Sequence, residues 1–318
     1  PAEPSTMSSK HLLDPQLLPS IEAMPIATFT ADTIESIRSA MSQTAVLGDA
    51  AAQGVSREEV YIPTNGGPDV RCLLYRPLKS SGTHPGYLHI HGGGYLIGSP
   101  EMADTSNIDI CAELDALVLS VDYRLAPEHP IPAPLDDCYA ALAWLHKNTE
   151  ELNIDPARIA VGGESAGGGL AAALALKARD AGAYRICHQH LTYPMLDDRT
   201  GTQEAPGDPL VGEFVWTRTS NQFGWDSYLG EATRAAPQVP ARSDSLAGLP
   251  STWLLTGALD LFRDENIAYA NRLMADGVAT ELAVFAGACH GFQMSPQSDL
   301  TLRYNKDFLA ALGRALAK

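Results

Sequence analysis

The sequence predicts an α/β fold with a mostly parallel central sheet flanked by helices, and three observations predict it. From residue 70 onward, short β-branched or aliphatic runs alternate with helix-like stretches, as expected for buried strands joined by helical crossovers. The 318 residues suffice for one large domain, or for one domain carrying a lid, with a substantial core. The hydrophobic and charged fractions, 45% and 19%, are those of a globular chain, and no fixed-period repeat or low-complexity tract points to a solenoid or a disordered segment.

Taken in order, the expected strands are 70–75, 87–91 and 116–122, followed by a helix over 133–147. A strand at 159–163 runs directly into a small-residue helix beginning at 165, and a further strand is expected at 188–193. After a break come a strand at 251–257, a helix around 265–276, a strand at 281–285 and a final helix from about 299 to 316. Two regions do not fit the alternation. Residues 1–50 read as helices, with Asp32-Thr33-Ile34-Glu35 as a capping segment. Residues 196–242 carry Pro, Gly and the aromatics Phe214, Trp216, Phe223, Trp225 and Tyr228. A connection this long inside a compact domain is usually functional, so 196–242 is expected to form a lid over the site. The catalytic domain is then 51–195 and 243–318.

Charge narrows the partners. A net charge of −16 repels phosphate backbones and anionic membrane surfaces, so neither a nucleic acid nor a membrane is expected as partner. No stretch approaches the roughly 20 apolar residues of a membrane span, and the first ten residues lack a basic-then-apolar leader, so a cytoplasmic location is expected. Five cysteines, widely spaced and without a C-x-x-C pair, argue against disulfides and structural zinc; Cys138 and Cys187 read as core residues.

The chemistry concentrates at predicted strand ends. Gly163-Glu164-Ser165-Ala166-Gly167 satisfies G-x-S-x-G between a strand and a helix, where flanking glycines allow a sharp turn that lifts the Ser165 hydroxyl above the sheet edge. A phosphate-binding turn would instead need G-x-G-x-x-G or a Walker lysine, and neither is present. Upstream, His91-Gly92-Gly93-Gly94 follows a strand and is followed by Tyr95; its glycines let backbone N–H groups approach a developing oxyanion closely. His91 reads as an orienting residue of that loop.

A serine hydroxyl needs a base, and the base needs a carboxylate to hold it. Among the histidines beyond Ser165, His188 and His190 share one face of a strand deep in the sheet. They read as core residues, with paired metal ligation a weak alternative because no third ligand is in view. His290, on a loop after the strand at 281–285, is the favoured base. Asp260, in the turn after the strand at 251–257, is ranked over Asp264 and Glu265, whose place in a helix's first turn is explained by the helix dipole. The aromatics Phe214 and Trp216, with Tyr95, suggest an apolar acyl or alcohol site.

With these motifs the chain resembles the hormone-sensitive-lipase family of bacterial esterases, from about Leu13 to the C-terminus. The likeness rests on the glycine loop, on Asp122-Tyr123-Arg124-Leu125-Ala126-Pro127-Glu128-His129-Pro130, on the serine pentapeptide, on residues 260–265 and on His290-Gly291-Phe292. Around residues 161–180 it is also similar to acetyl esterases of the heroin-esterase type. The resemblance implies an α/β-hydrolase fold, Ser165, Asp260 and His290 as triad in that chain order, and Gly93, Gly94 and Ala166 as oxyanion-hole N–H donors. It further implies a helical cap built from residues 1–50 together with 196–242, no cofactor, small short-to-medium acyl ester substrates and a tendency to form homodimers. Plant hormone receptors share the resemblance but lack the catalytic histidine, whereas His290 is present here. Amide hydrolysis and acyl transfer use the same triad and stay open. Two departures stand out: Glu164 replaces the Asp or Thr common before the serine, and no proline follows Asp260.

Overall fold

The computed structural model describes residues 8–24, 28–42, 47–64, 66–79 and 82–317. Within it, helices α1 (Leu18–Ala23) and α2 (Ile34–Ser42) precede strands β1 (Val55–Ile62), β2 (Val70–Pro77) and β3 (His84–Ile90). Then follow α3 (Asp104–Leu114), β4 (Leu117–Val121), α4 (Ala133–Lys147), α5 (Thr149–Leu152), β5 (Ile154–Glu164) and α6 (Ala166–Ala181). The chain continues through β6 (His188–Thr192), α7 (Arg218–Leu229), β7 (Ser251–Gly257), α8 (Arg263–Ala275), β8 (Thr280–Phe285) and α9 (Asp299–Leu316).

The eight strands form one sheet in the order β1-β2-β4-β3-β5-β6-β7-β8. The β1–β2 and β2–β4 pairs are antiparallel, and every pair from β4 to β8 is parallel. Because side chains alternate across a strand, each strand feeds two separate cores. Leu117, Leu119 and Val121 of β4, with Leu88 and Ile90 of β3 and Ile159 and Val161 of β5, point toward α4, α6 and α8. Val118, Tyr87, Ala160 and Leu255 point the other way, onto α3 and α9. Continuously apolar strands are the consequence of covering both faces, which is why the pattern could be read from the sequence.

Strand β1 and helix α3 were not anticipated. In β1, Arg57, Glu58 and Glu59 lie on an edge strand, where charge blunts further pairing but erases the apolar signal. In α3, Asp104 is buried in the first turn, where it accepts hydrogen bonds from Tyr75 Oη (2.7 Å), Arg57 Nη1 (2.8 Å) and the Gly48 N–H (2.7 Å). A polar residue satisfied by three distant partners is invisible to periodicity.

Of residues 1–50, expected to be helical, 1–7, 25–27 and 43–46 lie outside the described residues. The rest holds α1, α2 and short 3-10 turns. Thr33 precedes α2 as expected, but its hydroxyl serves the preceding turn, accepting from the Thr30 N–H and donating to the Thr28 carbonyl. Leu13 and Leu17 pack into the α9-side core, while Phe29 and Ile34 join the opposite one. Phe29 lies 5.4 Å from the Trp216 ring, so the N-terminal segment and the 196–242 region meet.

His188 and His190 are buried: His188 Nε2 is 3.1 Å from His190 Nδ1, and His190 stacks on Trp253 at 4.2 Å. Among the described residues no cluster of three or more His, Cys, Asp or Glu is placed to hold a metal ion. Cys138 is buried in the core and Cys187 is partly covered, and none of the five cysteines is bridged. No helix of the described residues is long and apolar enough to cross a membrane.

Candidate active site

Four parallel strands deliver the site at their carboxyl ends, where an open α/β sheet places its ligand crevice. Ser165 forms the one-residue turn between β5 and α6, with φ 57° and ψ −120°. That conformation is strained for a residue bearing a Cβ and is held from both sides. The Ser165 N–H donates to the Thr192 carbonyl (3.0 Å), and its own carbonyl accepts from the Gly169 and Met195 N–H groups (2.9 and 3.0 Å). A Cβ on Gly163 or Gly167 would overlap the Ile90 carbonyl oxygen, so both glycines of the pentapeptide are required by close packing against β3.

The serine, histidine and carboxylate singled out in the sequence come together. His290 Nε2 lies 2.9 Å from Ser165 Oγ, and His290 Nδ1 lies 2.8 Å from Asp260 Oδ2. Thirty residues of separation close because β7 and β8 pair in parallel with Gly257 opposite Phe285, and the loops beyond continue the pairing. There the Ala258 and Leu259 N–H groups donate to the Phe285 and Ala288 carbonyls, each at 2.9 Å. The second oxygen of Asp260 accepts the Phe262 N–H at 2.8 Å. Arg263 Nη1 donates to the Ala258 carbonyl (3.1 Å), so hydrogen bonds hold this turn where no proline follows the aspartate. The competing carboxylates lie elsewhere. Asp264 is exposed and pairs with Arg263. Glu265 is buried and accepts the Leu196 N–H (2.6 Å), and its burial pushes the carboxyl well above the usual range.

The glycine loop lies against the serine turn, with a Cβ on Gly92 coming within 2.9 Å of the Glu164 carbonyl. Gly93 and Gly94 have φ of 120° and 62°. Among the described residues, no protein acceptor takes the N–H of Gly93, Gly94 or Ala166. His91 braces the loop: its Nδ1–H donates to the Gly92 carbonyl (2.7 Å), and its ring stacks on Tyr123 at 4.3 Å. Full burial depresses this imidazole to about 4, so it is neutral at pH 7.

The aromatic residues divide. Trp216 lies beside the site, its ring 6.3 Å from His290, with Nε1 donating to Asn221 Oδ1 at 3.1 Å. Phe214, half-buried, packs on the α9-side core. Tyr95 is 0% exposed, stacked on Tyr228 at 3.9 Å beneath the glycine loop, so its ring has no open face. Two further residues surround His290 that the sequence did not disclose: Tyr193, 4.5 Å away, and Phe262, edge-on at 5.2 Å. The available signal was their place, one just after the end of β6 and the other two residues past Asp260. Glu164 turns away from the serine, with Oε2 3.1 Å from His89 Nε2, whose Nδ1 lies 2.8 Å from Ser120 Oγ.

Against known proteins, residues 87–294 match the family described as the alpha/beta hydrolase fold. The chain belongs to this family. Esterase LipI of Mycobacterium tuberculosis is 33% identical over 92% of this chain and 91% of its own. Carboxylesterase NlhH of the same species is 32% identical over 88% of each. The solved bacterial heroin esterase superposes with a TM-score of 0.88 at 38% identity, covering 96% of this chain and 98% of that one. With the resemblance to hormone-sensitive-lipase-like esterases thus supported, this α/β hydrolase is a serine carboxylic ester hydrolase.

Proposed function

We propose that this hydrolase cleaves short-to-medium acyl esters through an acyl-enzyme on Ser165, with His290 as base, Asp260 as its orienting carboxylate and the Gly93, Gly94 and Ala166 N–H groups as oxyanion hole. The observation that carries the reading is the unbroken line Ser165–His290–Asp260, with links of 2.9 and 2.8 Å. A carboxylate only accepts, which puts the imidazole proton on Nδ1 and leaves the Nε2 lone pair to take the serine proton. Oγ then bonds to the ester carbonyl carbon, and the oxyanion meets N–H groups that no acceptor takes among the described residues. His290 returns its proton to the leaving alkoxide as the acyl-enzyme forms; water, deprotonated by the same ring, then attacks the acyl carbon, the bond to Oγ breaks, and the ring's proton passes to Ser165 as the acid leaves.

Residues 1–50 and 196–242 are assigned as the cap over the domain formed by 51–195 and 243–318. The Phe29–Trp216 contact supports that assignment, and the apolar surroundings of His290 and Trp216 favour an uncharged acyl or alcohol group. Ser165 and His290 are each only 6% exposed, which suits small substrates. In this reading Phe214 and Trp216 border the substrate, and Tyr95, which the sequence groups with them, supports the glycine loop from below. Unbridged cysteines suit a reducing, cytoplasmic setting. An exposed edge of the sheet, which ends in β1 on one side and β8 on the other, is the surface through which two copies would form a homodimer.

The test is a chain-length panel of p-nitrophenyl esters run with wild type and Ser165→Ala. Hydrolysis should be greatest on the shorter acyl chains and abolished in the variant at an unchanged thermal midpoint. Full activity retained by Ser165→Ala would overturn the assignment.

A further inference from the structure

We propose that Arg38, on α2, is a positioning residue that holds the oxyanion loop in place, an inference resting on the reading of Gly93 and Gly94 as oxyanion donors. Arg38 Nε donates to the Leu96 carbonyl at 2.9 Å, two residues beyond Gly94. Its Nη2 donates to the Ala126 carbonyl, also at 2.9 Å. The same guanidinium forms a two-pronged pair with Glu128, Nη1 to Oε1 at 2.7 Å and Nη2 to Oε2 at 3.0 Å. A planar fork can satisfy these acceptors together because its donors are fixed in one plane, which a lysine ammonium cannot reproduce.

What the fork joins is the reason for the assignment. The glycine loop has its own internal turn, with the Leu96 and Ile97 N–H groups donating to the Gly93 carbonyl (3.0 and 3.1 Å). It is also tied to the Asp122–Pro130 segment, through the Ala126 N–H to the Tyr95 carbonyl (2.9 Å) and Tyr123 Oη to the His91 carbonyl (3.0 Å). Arg38 binds the carbonyls on both sides of this junction, Leu96 in the loop and Ala126 in the segment. The Asp122–Pro130 motif, which takes no part in the chemistry, thereby acquires a role as the bed on which the oxyanion loop rests. Arg38 draws the N-terminal region onto the same bed.

An N–H donor must sit where the oxyanion forms, so a loop free to shift by a fraction of an ångström loses transition-state binding while ground-state binding is little changed. Arg38→Ala should lower kcat on p-nitrophenyl butyrate about tenfold with KM within about twofold, since displacing a donor costs less than the roughly 10²–10³-fold of deleting one. The Ki of an alkyl trifluoromethyl ketone, which adds to Ser165 and leaves its oxygen as an oxyanion, should rise by the same factor. Added guanidinium at tens of millimolar should restore kcat several-fold, and Arg38→Lys should fall between wild type and Arg38→Ala. If Arg38→Ala does not fold, Arg38→Lys and Glu128→Gln carry the same measurements.

Unchanged kcat and Ki in the Arg38 variants would overturn the proposal. So would a rise in KM alone, or a loss of activity that guanidinium does not recover and that tracks a lowered thermal midpoint. Gly93→Ala, whose Cβ would collide with the Ile97 carbonyl, separates the two layers. Wild-type kcat and Ki in Gly93→Ala would refute the oxyanion reading itself. Loss of both there, with Arg38→Ala at wild-type values, would refute only the role of Arg38.

Discussion

Replacing His91 by Gln should flatten the acid sensitivity of folding. The imidazole is fully buried, stacked on Tyr123 and held by the Gly92 carbonyl, and burial depresses it from 6.5 to about 4. Above pH 6.5 the ring is neutral in both folded and unfolded chains and contributes no pH dependence. Between pH 6.5 and 4 the unfolded chain binds a proton that the folded one refuses, so stability is lost as pH falls through that window. From these two values, the loss on going from pH 8 to pH 5 is about 2 kcal/mol. His190 is depressed in the same direction by its burial, but it is common to both proteins and cancels in the comparison. The assay is urea unfolding of wild type and His91→Gln at pH 8 and pH 5. The wild type should lose about 2 kcal/mol more than the variant, whatever the variant's stability at pH 8. Equal losses would show that His91 takes up its proton without unfolding, and the account of the ring as a neutral brace would be wrong.

Other perturbations follow from the same geometry. Asp260→Asn keeps the shape of the turn but offers an amide to His290 Nδ1, so kcat should fall by about four orders of magnitude with the thermal midpoint nearly unchanged; a loss below tenfold would remove Asp260 from the triad. A Cβ on Gly94 would run into the Trp216 indole, 2.9 Å from Cζ2, and that indole is pinned by Asn221. Gly94→Ala should therefore lose about 100-fold in kcat, a displacement of about 1 Å being enough. The double variant with Trp216→Ala should recover part of that loss in steady-state assays. No recovery would mean that the positive φ of Gly94, and not the indole, sets the cost.

Much of the sheet was legible because it is parallel and covered on both faces. Strand β7 and helix α9 fall where the apolar pattern placed them, at 251–257 and 299–316. Edge strand β1 was not, because Glu58 and Glu59 face solvent, nor was α3, whose buried Asp104 draws partners from three other segments. The serine turn could be recognised locally, since its glycines and the flanking strand and helix are contiguous. The surroundings of His290 could not, since Tyr193, Phe262 and Trp216 arrive from three separate stretches of chain.

The α/β class, the chain order of Ser165, Asp260 and His290 and the glycines that let backbone approach backbone could all be read locally, because each depends on local pattern or steric size. Tertiary packing selects the carboxylate that meets His290, buries Tyr95 against Tyr228 and carries Arg38 to Leu96 and Ala126. Those outcomes depend on strand register and on the docking of segments far apart in the chain, which no local preference encodes.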